Sequence, residues 1–120
     1  MIEPVIYLCD LKNVHVITIK EIVLIKAQRS YCSIFLQDGE AITYTKSLSC
    51  IGKVLKGNKF LRIGQSHIIN RNQIRKIDKV NKLIKLTGDH QIRYPMKTSE
   101  LLGLLGFTNS EDETGDRENG

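Results

Sequence analysis

The sequence carries one pattern twice, in two segments of equal length that lie 50 residues apart. In residues 33–44 and 83–94, apolar side chains alternate with polar ones on both sides of a glycine-containing turn. Such alternation predicts strands with one buried face, and a central Asp-Gly or Gly-Asp pair predicts a β-hairpin. The matched apolar positions are Ile34/Ile84, Leu36/Leu86, Ile42/Ile92 and Tyr44/Tyr94. We therefore expect a chain built mainly from short antiparallel strands.

Each predicted hairpin is followed by a predicted short helix. In residues 47–56, Leu48, Ile51 and Leu55 recur at helical spacing behind Ser47, a favourable N-cap. Residues 98–105 are also predicted to be helical, with Leu101, Leu102 and Leu105 as the apolar positions. Each hairpin with its helix would expose an apolar face, so stacking the two units is the simplest way to form one core. Further strand-like runs lie at residues 5–9, 14–19 and 22–25.

Charge is distributed unevenly along the chain. The last 13 residues hold five of the 13 acidic side chains and one of the 18 basic ones, which leaves 17 bases and 8 acids, a net charge of +9, in residues 1–107. A basic domain of this kind favours a polyanionic partner. Apolar periodicity ends after Phe107. We therefore predict one folded domain at residues 1–107 and a disordered acidic tail at residues 108–120.

Side chains suited to catalysis or metal binding are few and scattered. Cys9, Cys32 and Cys50 form no close pair, and the three histidines are also scattered along the sequence. We therefore expect no metal and no cofactor. The sequence has no nucleophile motif and no glycine-rich phosphate loop, which indicates that the protein is not an enzyme. No apolar run approaches the roughly 18 residues of a membrane span, and the first residues do not resemble a signal peptide. We expect a cytoplasmic protein without membrane insertion.

A polar centre, Gly64-Gln65-Ser66, lies between apolar strand-like flanks in the segment that joins the two hairpins. The pattern around it is Phe60-x-Arg62-Ile63-x-x-Ser66-x-Ile68-Ile69-Asn70, followed by Ile74 and Ile77. This pattern resembles the signature of the LytTR DNA-binding domain, which ends many bacterial response regulators of two-component systems. The resemblance covers about residues 5–105 and includes the Asp38-Gly39 hairpin and the helix start at Ser47.

The resemblance implies a mainly β, elongated arrangement of small antiparallel sheets with two short helices. It also implies a transcriptional regulator whose loops enter successive major grooves of double-stranded promoter DNA, usually with two copies on a direct repeat. Transferred by position, the predicted base contacts are Tyr31, Gln65 and Lys97, with Met96 replacing Lys97 after a one-residue shift. The predicted phosphate contacts are Arg29, Ser30, Arg62, Ser66 and Thr98.

The chain departs from the family pattern in two respects. Family members usually carry His-Arg or a similar polar pair before the serine, where this chain has Gly64-Gln65. The missing charge should weaken DNA binding or change the preferred sequence, and glutamine can read adenine through two hydrogen bonds. In the second respect, we expect no receiver domain before Val5. The alternatives are a free-standing regulator and an excised domain.

The residues taken alone also have simpler interpretations. Tyr31 is more often an aromatic at the edge of a core, Gln65 and Ser66 can form a solvated turn, and Asn70 can bond nearby main chain. The basic run between Arg71 and Lys85 reads as a solvated strand face that adds non-specific attraction to DNA. The rival function is a protein-interaction module that titrates or inhibits a full-length regulator. Besides DNA, the candidate partners of the chain are a second copy, in a homodimer on DNA, and a regulatory protein.

Overall fold

The structure is a computed structural model that describes residues 4–55, 57 and 59–108. Its strands are β1 (Val5–Cys9), β2 (Val14–Thr18), β3 (Ile22–Ala27), β4 (Cys32–Leu36), β5 (Ala41–Tyr44), β6 (Phe60–Ile63), β7 (His67–Asn70), β8 (Ile74–Asp78), β9 (Leu83–Leu86) and β10 (His90–Arg93). Its α-helices are α1 (Leu48–Val54) and α2 (Thr98–Leu105), and the 3-10 turns Ile19–Glu21 and Arg71–Gln73 precede β3 and β8.

These strands form three antiparallel sheets. An N-terminal hairpin joins β1 to β2, a central sheet has the order β5-β4-β3-β7-β6, and a C-terminal sheet has the order β10-β9-β8. The principal extents are 60 × 36 × 24 Å. The predicted fold class is confirmed: the protein is mainly β and elongated, with small antiparallel sheets and two short helices.

Both copies of the repeated pattern form the predicted hairpins. Ile34 pairs with Ile42 across β4 and β5, and Ile84 pairs with Ile92 across β9 and β10. The second turn needs two residues with positive φ, and Gly88 at 82° and Asp89 at 65° provide them. Register in both hairpins therefore follows from the alternation and from the turn residues together.

The two predicted helices also form. In α1, the Ser47 hydroxyl accepts a hydrogen bond from the Cys50 N–H at 3.3 Å, which satisfies one of the unpaired donors at the helix start. This helix ends at Val54, earlier than the predicted residue 56, which lies outside the described residues. In α2, the bounds are those predicted, and Gly106 follows it at a φ of 69°.

The sequence predicted one core, but the structure has two, because the central sheet is buried on both faces. The first cluster contains Leu8, Ile17, Ile19, Ile22, Ile25, Cys32, Ile34, Leu36, Ile42, Tyr44, Leu48, Ile51, Leu55 and Ile68. The second cluster contains Val23, Leu24, Ile63, Ile69, Ile84, Leu86, Ile92, Tyr94, Leu101 and Leu105. Ile68 and Ile69, which are consecutive in β7, belong to different clusters. Each hairpin with its helix therefore has its own core, one on either side of the central sheet.

Three predictions concern absences or the chain ends. The predicted tail lies outside the described residues from position 109 onward, and its disorder stays a prediction. Within the described part of the chain, no helix is both long enough and apolar enough to cross a membrane. In the same part, no group of three or more histidine, cysteine, aspartate or glutamate side chains is placed to hold a metal ion.

Candidate nucleic-acid interface

Two of the predicted contact loops lie side by side at one end of the central sheet. Strand β3 lies between β4 and β7, with Ala27 opposite Cys32 and Lys26 opposite His67. The β3–β4 loop, residues 28–31, and the β6–β7 turn, residues 64–66, therefore emerge at the same end. The Ala27 N–H donates to the Ser66 carbonyl at 2.7 Å. This hydrogen bond ties the base of one loop to the other.

The β3–β4 loop is closed by its own backbone. The Gln28 N–H donates to the Tyr31 carbonyl at 2.8 Å, which leaves Arg29 and Ser30 exposed at the tip. Tyr31 is 40% exposed and lies just before β4. A ring so exposed is not held within a core, so the ring and its hydroxyl remain accessible to a partner.

The β6–β7 turn requires an unusual backbone conformation at Gly64. Its φ is 63°, in the left-handed region, and nothing lies within 4 Å of a Cβ added there. Glycine adopts this conformation without penalty, whereas Asn, Asp and His are the side chains that tolerate it best. The histidine usual in the family is among the side chains that tolerate this conformation best, but any side chain at position 64 is more strained there than glycine.

Arg62 links this turn to α1. Its Nη1 donates to the Ser49 hydroxyl at 3.1 Å, and its Nη2 donates to the Gln65 carbonyl at 3.4 Å. Arginine has five N–H donors, so an exposed guanidinium with these two contacts retains donors for a phosphate. Arg62 therefore positions the Gln65 backbone in addition to the phosphate role predicted for it.

The stretch of chain that contains the β6–β7 turn is basic. Between Glu40 and Asp78 the chain contains eight lysines and arginines and no acidic residue. The pKa of the Cys50 thiol is lowered, first by its hydrogen bond with Ser47 and further by the charges of Lys46 and Lys53. A groove of about 430 Å³ beside α1 is lined in part by Ser49, Lys53 and Arg62. Sequence reasoning missed Ser49 and Lys53, because their proximity to Arg62 depends on how α1 packs against the central sheet.

The third predicted contact region lies apart from these loops, at the start of α2. Lys97 is exposed at the N-cap, and its N–H donates weakly to Glu100 Oε1 at 3.4 Å. The side chain of Met96 packs against the second cluster, which favours Lys97 over Met96 as the residue facing a partner. The Thr98 hydroxyl shares a 2.6 Å hydrogen bond with the Tyr94 hydroxyl, so it is already engaged within the protein.

Asn70, the last residue of the signature, has a structural role, as predicted from its residue type. It is 3% exposed, and its Nδ2 donates to the Ile22 carbonyl at 2.8 Å. Its Oδ1 accepts from the Asn72 N–H at 2.9 Å. The side chain therefore fastens the end of β7 to the start of β3 and does not face solvent.

The basic run that starts at Arg71 is only partly a solvated face. The Arg71 guanidinium donates to the carbonyls of Leu105 and Gly106 and lies 4.8 Å from the centre of the Phe107 ring. Lys82 donates to the Met96 carbonyl. Both side chains hold α2 and its preceding loop in place. The predicted solvated face consists instead of the other bases in the run, Arg75, Lys76, Lys79 and Lys85, of which Lys85 is partly buried.

His67 makes the stability of this region depend on pH. Partial burial, and then the charge of Lys26, lower its pKa from the ordinary 6.5. Since the unfolded chain then binds the proton more tightly, the free energy of unfolding should fall as pH drops from above 6.5 towards the folded-state pKa. Urea unfolding between about pH 5 and 8 should show a smaller fall for His67→Gln. Equal pH dependence in both proteins would contradict this assignment.

Comparisons with known proteins bear on the family and on the fold. A family model described as the LytTr DNA-binding domain matches residues 12–102. A solved LytTr DNA-binding domain, from a Bacillus cereus protein assigned as a methyl-accepting/DNA response regulator, matches with a TM-score of 0.68 at 20% identity over 86% of this chain and 97% of that chain. Among curated proteins, none matches the chain. The family predicted from the signature is confirmed, and the chain belongs to the LytTR family of DNA-binding domains.

Proposed function

We propose that this LytTR domain binds double-stranded DNA in a sequence-specific manner and regulates bacterial transcription by inserting its loops into successive major grooves. DNA binding and a role in transcription follow from the family in general terms. The observation that carries the finer proposal is the joint placement of the β3–β4 loop and the β6–β7 turn, fixed by the Ala27–Ser66 hydrogen bond. A pair of loops held rigidly together can present two sets of side chains to one stretch of duplex.

Base reading is assigned to Tyr31, Gln65 and Lys97. In the described part of the chain, the side-chain amide of Gln65 and the hydroxyl of Tyr31 have no hydrogen-bond partner. Both are exposed polar groups at a loop whose backbone is held in place. The two-point hydrogen bonding of a glutamine amide suits adenine in the major groove. Lys97, exposed at the start of α2, is the corresponding reader in a neighbouring groove.

Phosphate contacts are assigned to Arg29, Ser30, Arg62, Ser66 and Thr98. Except for Thr98, they lie in or beside the two joined loops and are exposed. Thr98 is the weakest member of the set, because its hydroxyl is bonded to Tyr94. The long stretch without acidic residues supports the same assignment, since neutralising several phosphates releases counterions and dominates non-specific affinity for DNA.

Replacing Gln65 separates base reading from phosphate binding. With a duplex selected from random sequences, Gln65→Ala is expected to cost about 1–3 kcal/mol on the preferred site and much less on random duplex. Gln91→Ala is the matched control, because Gln91 is an exposed glutamine on β10. Equal losses on both duplexes would show that the turn is a phosphate clamp and that sequence is read elsewhere.

Arg62 is expected to affect both phosphate binding and base reading. Arg62→Ala removes one phosphate contact, so the slope of log affinity against log salt should become shallower by about 0.9. It also removes the donor that holds the Gln65 carbonyl, so the preference for the selected site should fall as well. Arg62→Lys keeps the charge but not the two-sided link. It should restore the salt slope and leave the preference reduced.

The rival function is a protein-interaction module that titrates or inhibits a full-length regulator. An exposed apolar face on the N-terminal hairpin favours some protein contact. The salt dependence distinguishes the two functions, since phosphate binding weakens steeply with salt and an apolar interface does not. Two copies on a direct repeat, a cytoplasmic location and a place in a two-component system belong to the DNA-binding proposal. A flat salt response, with no effect of Gln65 or Arg62, would favour the rival.

A further inference from the structure

The N-terminal hairpin has two different faces. Its register pairs Ile6 with Ile17 and Leu8 with His15 on the inner side, where Leu8 and Ile17 are buried in the first cluster. Side chains alternate across a strand, so the other cross-strand pairs face away from the core. These residues form the outer hairpin face: Val5, Tyr7, Cys9, Val14, Val16 and Thr18.

The outer hairpin face is mostly apolar and mostly exposed, and none of its six residues is charged at neutral pH; Thr18 is its polar, half-buried member. Val5, Tyr7, Val14 and Val16 are 50–72% exposed, and Leu11 in the connecting turn is fully exposed. Cross-strand neighbours make these side chains contiguous, with Tyr7 opposite Val16 at the centre. Monomeric proteins rarely expose contiguous apolar patches larger than a few hundred Å², and patches above that size mark interaction sites.

We infer that the outer hairpin face binds the same face of a second copy and forms a homodimer in solution. At their observed exposures the three valines and the tyrosine of this face, together with Leu11 in the adjoining turn, present roughly 600 Å² per copy, so that a face-to-face pair buries at most roughly 1,200 Å². That area lies at the lower limit for a specific, stable interface. A dissociation constant in the micromolar range is therefore expected rather than an obligate dimer.

Charge favours a second copy as the occupant. The whole chain carries a net charge of +5, so most surfaces of two copies repel each other at low salt. The outer hairpin face carries no ionisable charge at neutral pH and can meet itself without that penalty. None of its six residues is a cation, and Lys46 lies at its border, where it lines a groove with Val5, Tyr7 and Cys9. Faces rich in β-branched side chains pack on one another in sheet-on-sheet contacts. A two-fold axis would bring Tyr7 and Val16 of both copies together, an arrangement distinct from the head-to-tail relation of two copies bound to a direct repeat.

The experiment is sedimentation equilibrium of the full chain without DNA, in reducing buffer because Cys9 lies on the face. Wild-type protein is expected to pass from monomer to dimer between about 1 µM and 1 mM. Val16→Lys should weaken dimerisation at least about tenfold, since a two-fold interface would bury the introduced charge twice. Val80→Lys is the control, because it makes the same change at a residue that is 89% exposed in the β8–β9 turn. This variant should leave dimerisation unchanged.

A second variant guards against loss of folding. Val16→Thr keeps the β-branched shape, so its circular dichroism should match wild type, and its dimerisation should be weakened less than that of Val16→Lys. Monomeric wild-type protein at all concentrations would overturn the inference. Equal dimerisation of Val16→Lys and Val80→Lys would overturn it as well. Neither result bears on the Gln65 experiment, because no DNA is present.

Discussion

Ile51→Ala is expected to lower the free energy of unfolding by about 2–5 kcal/mol. Ile51 has no solvent exposure and lies in the first cluster, where α1 packs against the central sheet. A helix of seven residues is not stable alone in water, so α1 depends on this packing. Truncation removes buried methyl groups and leaves a cavity that the sheet cannot fully close.

Val54→Ala is the matched control for this prediction. Val54 lies on the same helix but is 47% exposed, so its truncation should change the free energy of unfolding by about 0.5 kcal/mol or less. Denaturant unfolding of both variants measures the difference. Equal losses, or a loss below about 1 kcal/mol for Ile51→Ala, would mean that α1 is not anchored by the first cluster.

The elements of this fold were predictable because their signals are local. The alternation in the two hairpins, their turn pairs and the helical spacing after Ser47 and Lys97 each lie within about a dozen residues, and the corresponding elements form in the structure. The existence of two clusters was not predicted. A signal for it was present, since residues 22–25 are all apolar, and such a run is typical of a strand buried on both faces. Ile22, Val23, Leu24 and Ile25 are all buried.

The candidate site was predictable as a set of residues but not as an arrangement. The positions of Tyr31 and Gln65 came from the family signature, whereas their proximity depends on the pairing of β3 with β7. That pairing is non-local, and no short-range pattern encodes it. The same holds for the Arg62–Ser49 contact and for Arg71, whose charge suggested a solvated face while its guanidinium caps α2. Residue type and spacing do not reveal to which distant carbonyl oxygen a basic side chain will donate a hydrogen bond.

Asn70→Ala is expected to lower the free energy of unfolding by about 2–4 kcal/mol, because two buried hydrogen bonds are lost at once. The Ile22 carbonyl would lose the Nδ2 donor, and the Asn72 N–H would lose the Oδ1 acceptor. Asn70→Asp retains the acceptor but not the donor, so comparison of the two variants separates the contributions. Asn72→Ala is the control, since Asn72 is exposed and its side chain has one long contact with Arg71 at 3.4 Å.

The Asn70 variant also tests how the signature divides between folding and DNA recognition. The Asn70 side chain faces the protein interior, so Asn70→Ala, measured at a temperature where it is folded, should retain the wild-type ratio of specific to random duplex affinity. Gln65→Ala should lose that ratio while keeping wild-type stability, because the Gln65 side chain is exposed. If Asn70→Ala instead kept its stability and lost DNA preference, Asn70 would contact DNA. The hydrogen bonds to Ile22 and Asn72 would then have no measurable role in holding β7 to β3.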